Sequence, residues 1–218
     1  MYKKPYFTEE DPAIIRAFME AHPLVTLIGV KDSQPAATQV PVLIAGDESG
    51  IILRGHILKG SDHHRAFQAS ANALAIFTSP NCYVSASLYI ERLGSTWNYI
   101  SVHARGSLTL LDDNGTREVI TGLMQHFEQG MPKPLGMQAL AEDYITHSLK
   151  AIAGFELSVE KLETVFKLSQ NRDDASYQNI VQHLESRSGS GDAFIAGEMR
   201  KARPGLFAQP PTDDSPAH

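Results

Sequence analysis

LVTLIGVKDSQPAATQVPVLIAGDESGIILRGH, residues 24–56, decides the fold. It holds three runs rich in Val, Ile and Leu: LVTLIGV (24–30), AATQVPVLI (36–44) and IILRGH (51–56). Turn formers separate them, Lys31 to Pro35 and Gly46 to Gly50. β-Branched side chains fit a pleated surface while Gly, Asp, Ser and Pro interrupt it, so the stretch predicts three strands in meander order, the first two a hairpin. A meander predicts an antiparallel barrel or sandwich.

Upstream, Asp11 caps a helix that starts at Pro12, carries Ile14, Ile15, Phe18 and Met19 at helical spacing, and ends at His22 and Pro23. Downstream, SDHHRAFQAS predicts a short helix capped by Ser61; ALAIFTS (73–79), YVSASLYI (83–90) and TWNYISVHARGSLTLL (96–111) predict further strands. Helical spacing of Val119, Ile120, Leu123, Met124 and Phe127, capped from Asp112 to Thr116, gives the next helix, with another within 137–150. AGFELSVEKLETVFKLS (153–169) reads as at least one returning strand, and Tyr177, Ile180, Val181 and Leu184 as an amphipathic helix. Strands without strict strand–helix alternation predict a mainly β fold, an antiparallel barrel with peripheral helices, over residues 1–187. Residues 188–218 read as a flexible segment, with a short helix expected within 192–202 and a disordered tail, RPGLFAQPPTDDSPAH.

The 218 residues are 42% hydrophobic and 20% charged, a composition that supports a proper core. A net charge of −6 argues against a general grip on nucleic acid, and no helix pair with a basic second helix stands out. The single cysteine, Cys82, excludes an intrachain disulfide and reads as an inert strand residue. With no charged-then-apolar leader in MYKKPYFTEED and no apolar run near the ~20 residues of a membrane-spanning helix, a cytoplasmic location is expected.

Three groups of residues invite chemistry. In GHILKGSDHHR (55–65) a strand passes into a helix: Gly55 and Gly60 let the backbone come close, Lys59 adds charge, and a helix start offers free amides. That is either an anion site or a solvated turn with a well-capped helix. His56, His63, His64 and His103 lack metal-ligand spacing, which argues for hydrogen-bonding roles at a polar pocket rather than for a metal. In TWNYISVHARG (96–106), period-two geometry puts Trp97, Tyr99, Ser101 and His103 on one face, where Trp97 is either core or the neighbour of an aromatic ligand; Asn98, opposite, bonds main chain or a second subunit. KLSQNR (167–172) brings two cations, an amide pair and a hydroxyl together after a strand, or forms a polar loop in which Asn171 or Asp173 caps the next helix. There is no GxSxG elbow, and no catalytic residue is assigned.

Taken in order, MYxxPYF, ATQVPVLI, the GHxxxG loop, TSPNCYVSASLY, TWNYISVHARG and KLSQNR resemble the PaiB-type family of FMN-binding negative transcriptional regulators, up to about Arg187. The resemblance implies the FMN-binding split barrel and a homodimer with flavin at the interface. It places the flavin phosphate near Lys59, Gly60, Ser61 and His63 or His64, in the loop opened by Gly55 and His56, and the isoalloxazine ring along Gln39, Val40 and Pro41. Trp97, Asn98 and Tyr99 are expected to reach the site from the partner chain, with Arg172 a second cation. The implied role is regulatory; the alternative is a flavin-dependent oxidoreductase of the pyridoxamine-phosphate-oxidase-like group.

Overall fold

A computed structural model describes residues 4–47 and 50–207. The centre of the turn expected at Gly46 to Gly50, and the expected disordered tail beyond Phe207, lie outside these residues. The chain forms seven strands, β1 (Leu24–Lys31), β2 (Gln34–Asp47), β3 (Gly50–Leu58), β4 (Asn72–Thr78), β5 (Cys82–Val84), β6 (Thr96–Leu110) and β7 (Ile152–Lys167). Its helices are α1 (Pro12–Ala21), α2 (Asp62–Ala69), α3 (Asp113–Phe127), α4 (Glu142–Ala151), α5 (Asp174–Glu185) and α6 (Ser190–Ala202). None of them is long and apolar enough to cross a membrane. The elements fall into two units: residues 9–78 with 101–164, and residues 4–8, 79–100 and 165–207 among those described.

In the first unit the strand order β4-β1-β2-β3-β7-β6, with β4 also paired to β6, closes a six-stranded barrel, the predicted class of fold. Every registered pair is antiparallel. The β1–β2 hairpin turns on Asp32 and Ser33 alone, at φ 49° and 62°, and two left-handed turn residues match the twist of a two-residue hairpin. Alternation then sorts the side chains. Val25 and Leu27, Val40 and Val42, Leu53 and Ile57, Ala75 and Phe77, Val102 and Ala104, and Phe155 and Leu157 are all buried. Each large one contributes about 1.5–3 kcal/mol by leaving water.

Two glycines set how the barrel is dressed. At Gly29, a Cβ would lie 2.9 Å from the Phe67 ring, so only glycine lets α2 pack this closely against β1. At Gly106 of β6, a Cβ would stand 1.9 Å from the Ser158 carbonyl oxygen of β7. Helix α3 lies over the other part of the wall, where the Gly154 N–H donates to Thr116 Oγ1 at 2.9 Å and Leu43 meets Gly122. Its N-cap is Asp112, whose carboxylate accepts the Gly115 N–H at 2.8 Å.

The second unit packs α5 and α6 through Tyr177, Ile180, Leu184, Ile195 and Met199, all fully buried, and the Tyr177 hydroxyl donates to the Met199 carbonyl at 2.8 Å. The helix expected within 192–202 is therefore packed, and part of the tail expected to be disordered forms a 3-10 turn at Pro204–Leu206. Asp173, one of the two expected caps, accepts the Ser176 N–H and starts α5. The strand expected over 83–90 is corrected to Cys82–Val84: Ser85 Oγ accepts the Ser87 N–H, and a 3-10 turn takes over at Ala86–Leu88. Cys82 is 3% exposed and its thiol is pushed up to about 11 by burial, which makes it inert at neutral pH.

Gly106→Ala is expected to lose about 1–3 kcal/mol by overpacking the β6–β7 contact. Gly197→Ala in α6, where a Cβ meets nothing within 4 Å, should instead gain about 0.5–1 kcal/mol. Urea unfolding of both variants checks the opposite signs.

Candidate functional site

The predicted site residues divide between the units. Gln39, Val40, Pro41, Gly55, His56, Lys59, Gly60, Ser61, His63 and His64 belong to the first, and Trp97, Asn98, Tyr99 and Arg172 to the second.

The passage from β3 to α2 is built as the sequence predicts. Gly60 takes φ +74°, and Ser61 Oγ accepts the His64 N–H at 3.1 Å while donating to the Leu58 carbonyl at 2.8 Å. Much of the loop's charge is internally engaged. Lys59 Nζ donates to the Leu149 carbonyl at 2.9 Å and pairs with Asp113 at 3.2 Å. Arg65 bonds the Gly60 carbonyl and Asp62, and the Gly60 N–H donates to His64 Nδ1 at 3.3 Å. Asp113 is exposed, so its pair with Lys59 is weak and exchangeable. His63 is different: 2% exposed, 4.7 Å from the Phe67 ring, it has no hydrogen-bond partner among the described residues at either ring nitrogen. Burial lowers its pKa, as it does for His56, whose Nδ1 is also buried and unpartnered. Gly55 faces the core, where a Cβ would strike the Phe155 ring at 2.6 Å.

Registers across the barrel bring Gln39 of β2, Thr26 of β1, Ile76 of β4 and His103 of β6 into one continuous rung. Residues opposite one another share a face, so these four side chains lie together on the outer wall. Leu24 and Val30 are exposed on the same strand as Thr26, and Ile28 and Leu74 are half-buried beside it. His103 Nδ1 is buried without a partner among the described residues, and burial, then the nearby Arg105, lower its pKa. Pro41, half-buried, lies opposite Leu24. Val40 points the other way, 4% exposed in the core, and offers a ligand only its main chain. Thr26 and Ile76 carry no signal in the sequence as site residues, because only the register brings them beside Gln39 and His103.

In the second unit Trp97 is 54% exposed and meets Tyr83, its cross-strand partner, edge to face at 5.9 Å, which excludes the core reading of this tryptophan. Tyr99 is half-buried. Asn98 corrects an expectation: it is fully buried, its amide donates to Ser169 Oγ at 3.0 Å, and the Ser169 hydroxyl donates back at 3.1 Å. It bonds side chains of its own chain, which removes it as a group reaching across to another subunit. Ser169, at φ +60°, turns KLSQNR around a cavity of about 140 Å³ that holds Lys167 and Arg172 together with Thr96 and Asn171. None of the described side chains that line it is acidic. The Arg172 guanidinium lies over the Tyr89 ring at 4.4 Å, a partner that no sequence signal marks.

Comparison with known proteins agrees with this fold. A protein of Bacillus subtilis named "Protease synthase and sporulation protein PAI 2" is 28% identical over 91% of this chain and 96% of its own length. The structure of an FAD and heme binding protein from Mycobacterium smegmatis superposes with a TM-score of 0.58 at 20% identity, covering 73% of each chain. The flavocytochrome Anf3 from Azotobacter vinelandii superposes with a TM-score of 0.56 at 17% identity, over 76% of this chain and 72% of that one. The family described as "Putative FMN-binding domain" matches residues 1–161, most of the chain and the whole of the barrel's strand set up to β7, and the chain belongs to that family.

Proposed function

We propose that the protein is a homodimeric FMN-binding regulator of the PaiB type. Family membership makes a flavin its cofactor. The regulatory part rests on likeness to the Bacillus protein named for protease synthesis and sporulation. The observation that carries the flavin reading is the set of buried imidazole nitrogens in the first unit, on His56, His63 and His103, that find no partner among the described residues. Folded proteins satisfy about 90% or more of their buried polar groups, so each of these nitrogens leaves a bonding position open to a polar ligand.

The residues present fit a flavin. Lys59 and the start of α2 offer a cation and amides for its phosphate, once the exposed Asp113 pair gives way. Gln39, Pro41 and the main chain of Val40 offer an amide, a flat apolar edge and a backbone donor and acceptor for a planar ring. A second copy of the chain would cover the outer wall around Leu24, Val30 and the rung of Ile76 and His103, and its exposed Trp97 and half-buried Tyr99 are the aromatics suited to complete the site. Bound FMN supplies redox chemistry. A flavin-dependent oxidoreductase is the second reading, favoured by fold likeness to proteins named for flavin and heme.

FMN is expected to quench Trp97 fluorescence saturably, and light scattering to return twice the monomer mass. Ile76→Arg, which puts a charge on the outer rung, should yield a monomer and weaken FMN at least about tenfold, or about 1.4 kcal/mol. A wild-type monomer, or full FMN affinity in Ile76→Arg, would refute the interface reading. Under anaerobic conditions NADH and NADPH are expected to leave the bound flavin oxidised; rapid bleaching would move the assignment to the oxidoreductase.

The histidines add a pH dependence. Their folded pKa values lie below the unfolded value of 6.5, so the unfolded chain binds protons first as pH falls. Stability held above about pH 6.5 should be lost on acidification, and His63→Leu, which keeps the Phe67 contact, should lessen that loss in unfolding curves at pH 7.5 and 5.5.

A further inference from the structure

We infer that the Lys167–Arg172 cavity of the second unit is a binding site for a phosphate group. Among the described residues two cations line it and no carboxylate does. The acids nearest in sequence are already committed. Asp173 accepts the Ser176 N–H at 2.8 Å as the cap of α5, and Asp174 pairs with Arg203 at 3.0 Å. Arg203 also donates to the carbonyls of Gln170 and Arg172, so its charge serves the turn. Arg172 is left with its guanidinium over the Tyr89 ring and its Nε buried without an acceptor among the described residues. Lys167 donates to Thr96 Oγ1, an interaction that neutralises no charge. Burial, then Arg172, lower the Lys167 pKa, the response of an ammonium placed beside a like charge without a counterion.

The donors specify the ligand. Lys167 retains protons beyond the one given to Thr96, the Thr96 hydroxyl keeps its own, Asn171 has an amide, and Arg172 presents a planar fork. Several donors around a doubly positive centre suit the three oxygens and dianionic charge of a phosphate better than a single carboxylate. At about 140 Å³ the cavity is well below the ~300 Å³ at which pockets begin to enclose whole cofactors, so it takes a phosphate group and not a ring system. The group could be free, on a small metabolite, or the terminal phosphate of the flavin.

Inorganic phosphate titrated calorimetrically into the full chain is expected to bind saturably. Arg172→Gln and Lys167→Gln should each weaken it at least tenfold, while Lys31→Gln, on the exposed end of β1, leaves it unchanged. Absence of saturable binding, or equal affinity in both cavity variants, would overturn the inference. Should the variants fail to fold, acetylation of Lys167 in the wild-type chain, followed by peptide mass mapping, decides the same question: phosphate should slow it severalfold, and an unchanged rate refutes the site. FMN that displaces phosphate where riboflavin does not identifies the flavin's own phosphate as the ligand; phosphate bound undiminished to FMN-loaded protein identifies a separate metabolite. A chain that binds phosphate but no flavin would sink the flavin reading and leave this site standing.

Discussion

The contact on which the barrel depends is the approach of β6 to β7 at Gly106, whose Cα lies so near the Ser158 carbonyl that a single methyl group would stand 1.9 Å from the oxygen. With β6 also paired to β4 from Asn72↔Ser107 to Thr78↔Ser101, this contact belongs to the strand that joins the last neighbours of the sheet. Closure removes sheet edges and holds every register. A slip of one residue would turn Val102 and Ala104 outward and His103 inward, burying an imidazole in the apolar core. The rung of Gln39, Thr26, Ile76 and His103 is thus fixed by the same alternation that fills the barrel.

Charge compensation separates the two cationic places in the molecule. Lys59 has an anionic partner and a carbonyl, and the loop around it is tied by Ser61, His64 and Arg65 to its own backbone. Its pair with Asp113 lies in solvent, where it contributes about 0–1 kcal/mol and yields readily to a ligand. Lys167 and Arg172 have hydroxyl and ring partners, neither of which cancels a charge. Lys59 already has an acid beside it; Lys167 and Arg172 have none among the described residues that line their cavity.

Local chemistry makes most of the fold legible. Asp11, Ser61 and Asp112 cap the helices that their positions predict, and the alternation in LVTLIGV and TWNYISVHARG reports which side chains enter the core. YVSASLYI misleads because serines are compatible with a strand by pattern but close a turn once Ser85 bonds Ser87 N–H. Composition does not place the tryptophan, since an indole suits a core or a surface equally, and only its pairing with Tyr83 on a three-residue strand leaves it exposed. Asn98 escapes the pattern for a related reason: alternation puts it opposite Trp97, but its partner, Ser169, is 71 residues away. The candidate sites are legible as loops and illegible as constellations, because Thr26, Ile76 and Tyr89 enter them through register and tertiary contact alone.

The distribution of unmet bonding joins these observations. Among the described residues, the buried side-chain atoms without hydrogen-bond partners are on His56, His63, His103, Tyr89 and Arg172. Elsewhere in the interior, Asn98, Ser169 and the Tyr177 hydroxyl are all satisfied. A buried polar group left unpaired costs about 1–3 kcal/mol, and three of these five residues belong to the first unit and two to the second. In the first unit the open groups are imidazoles that burial keeps neutral, each able to donate from one nitrogen and accept at the other, which suits the mixed edge of a flavin. In the second the principal open group is a guanidinium, a pure donor, which suits an oxyanion. The chemistry of what is missing therefore differs between the two units, and it differs in the direction that a ring system and a phosphate group require.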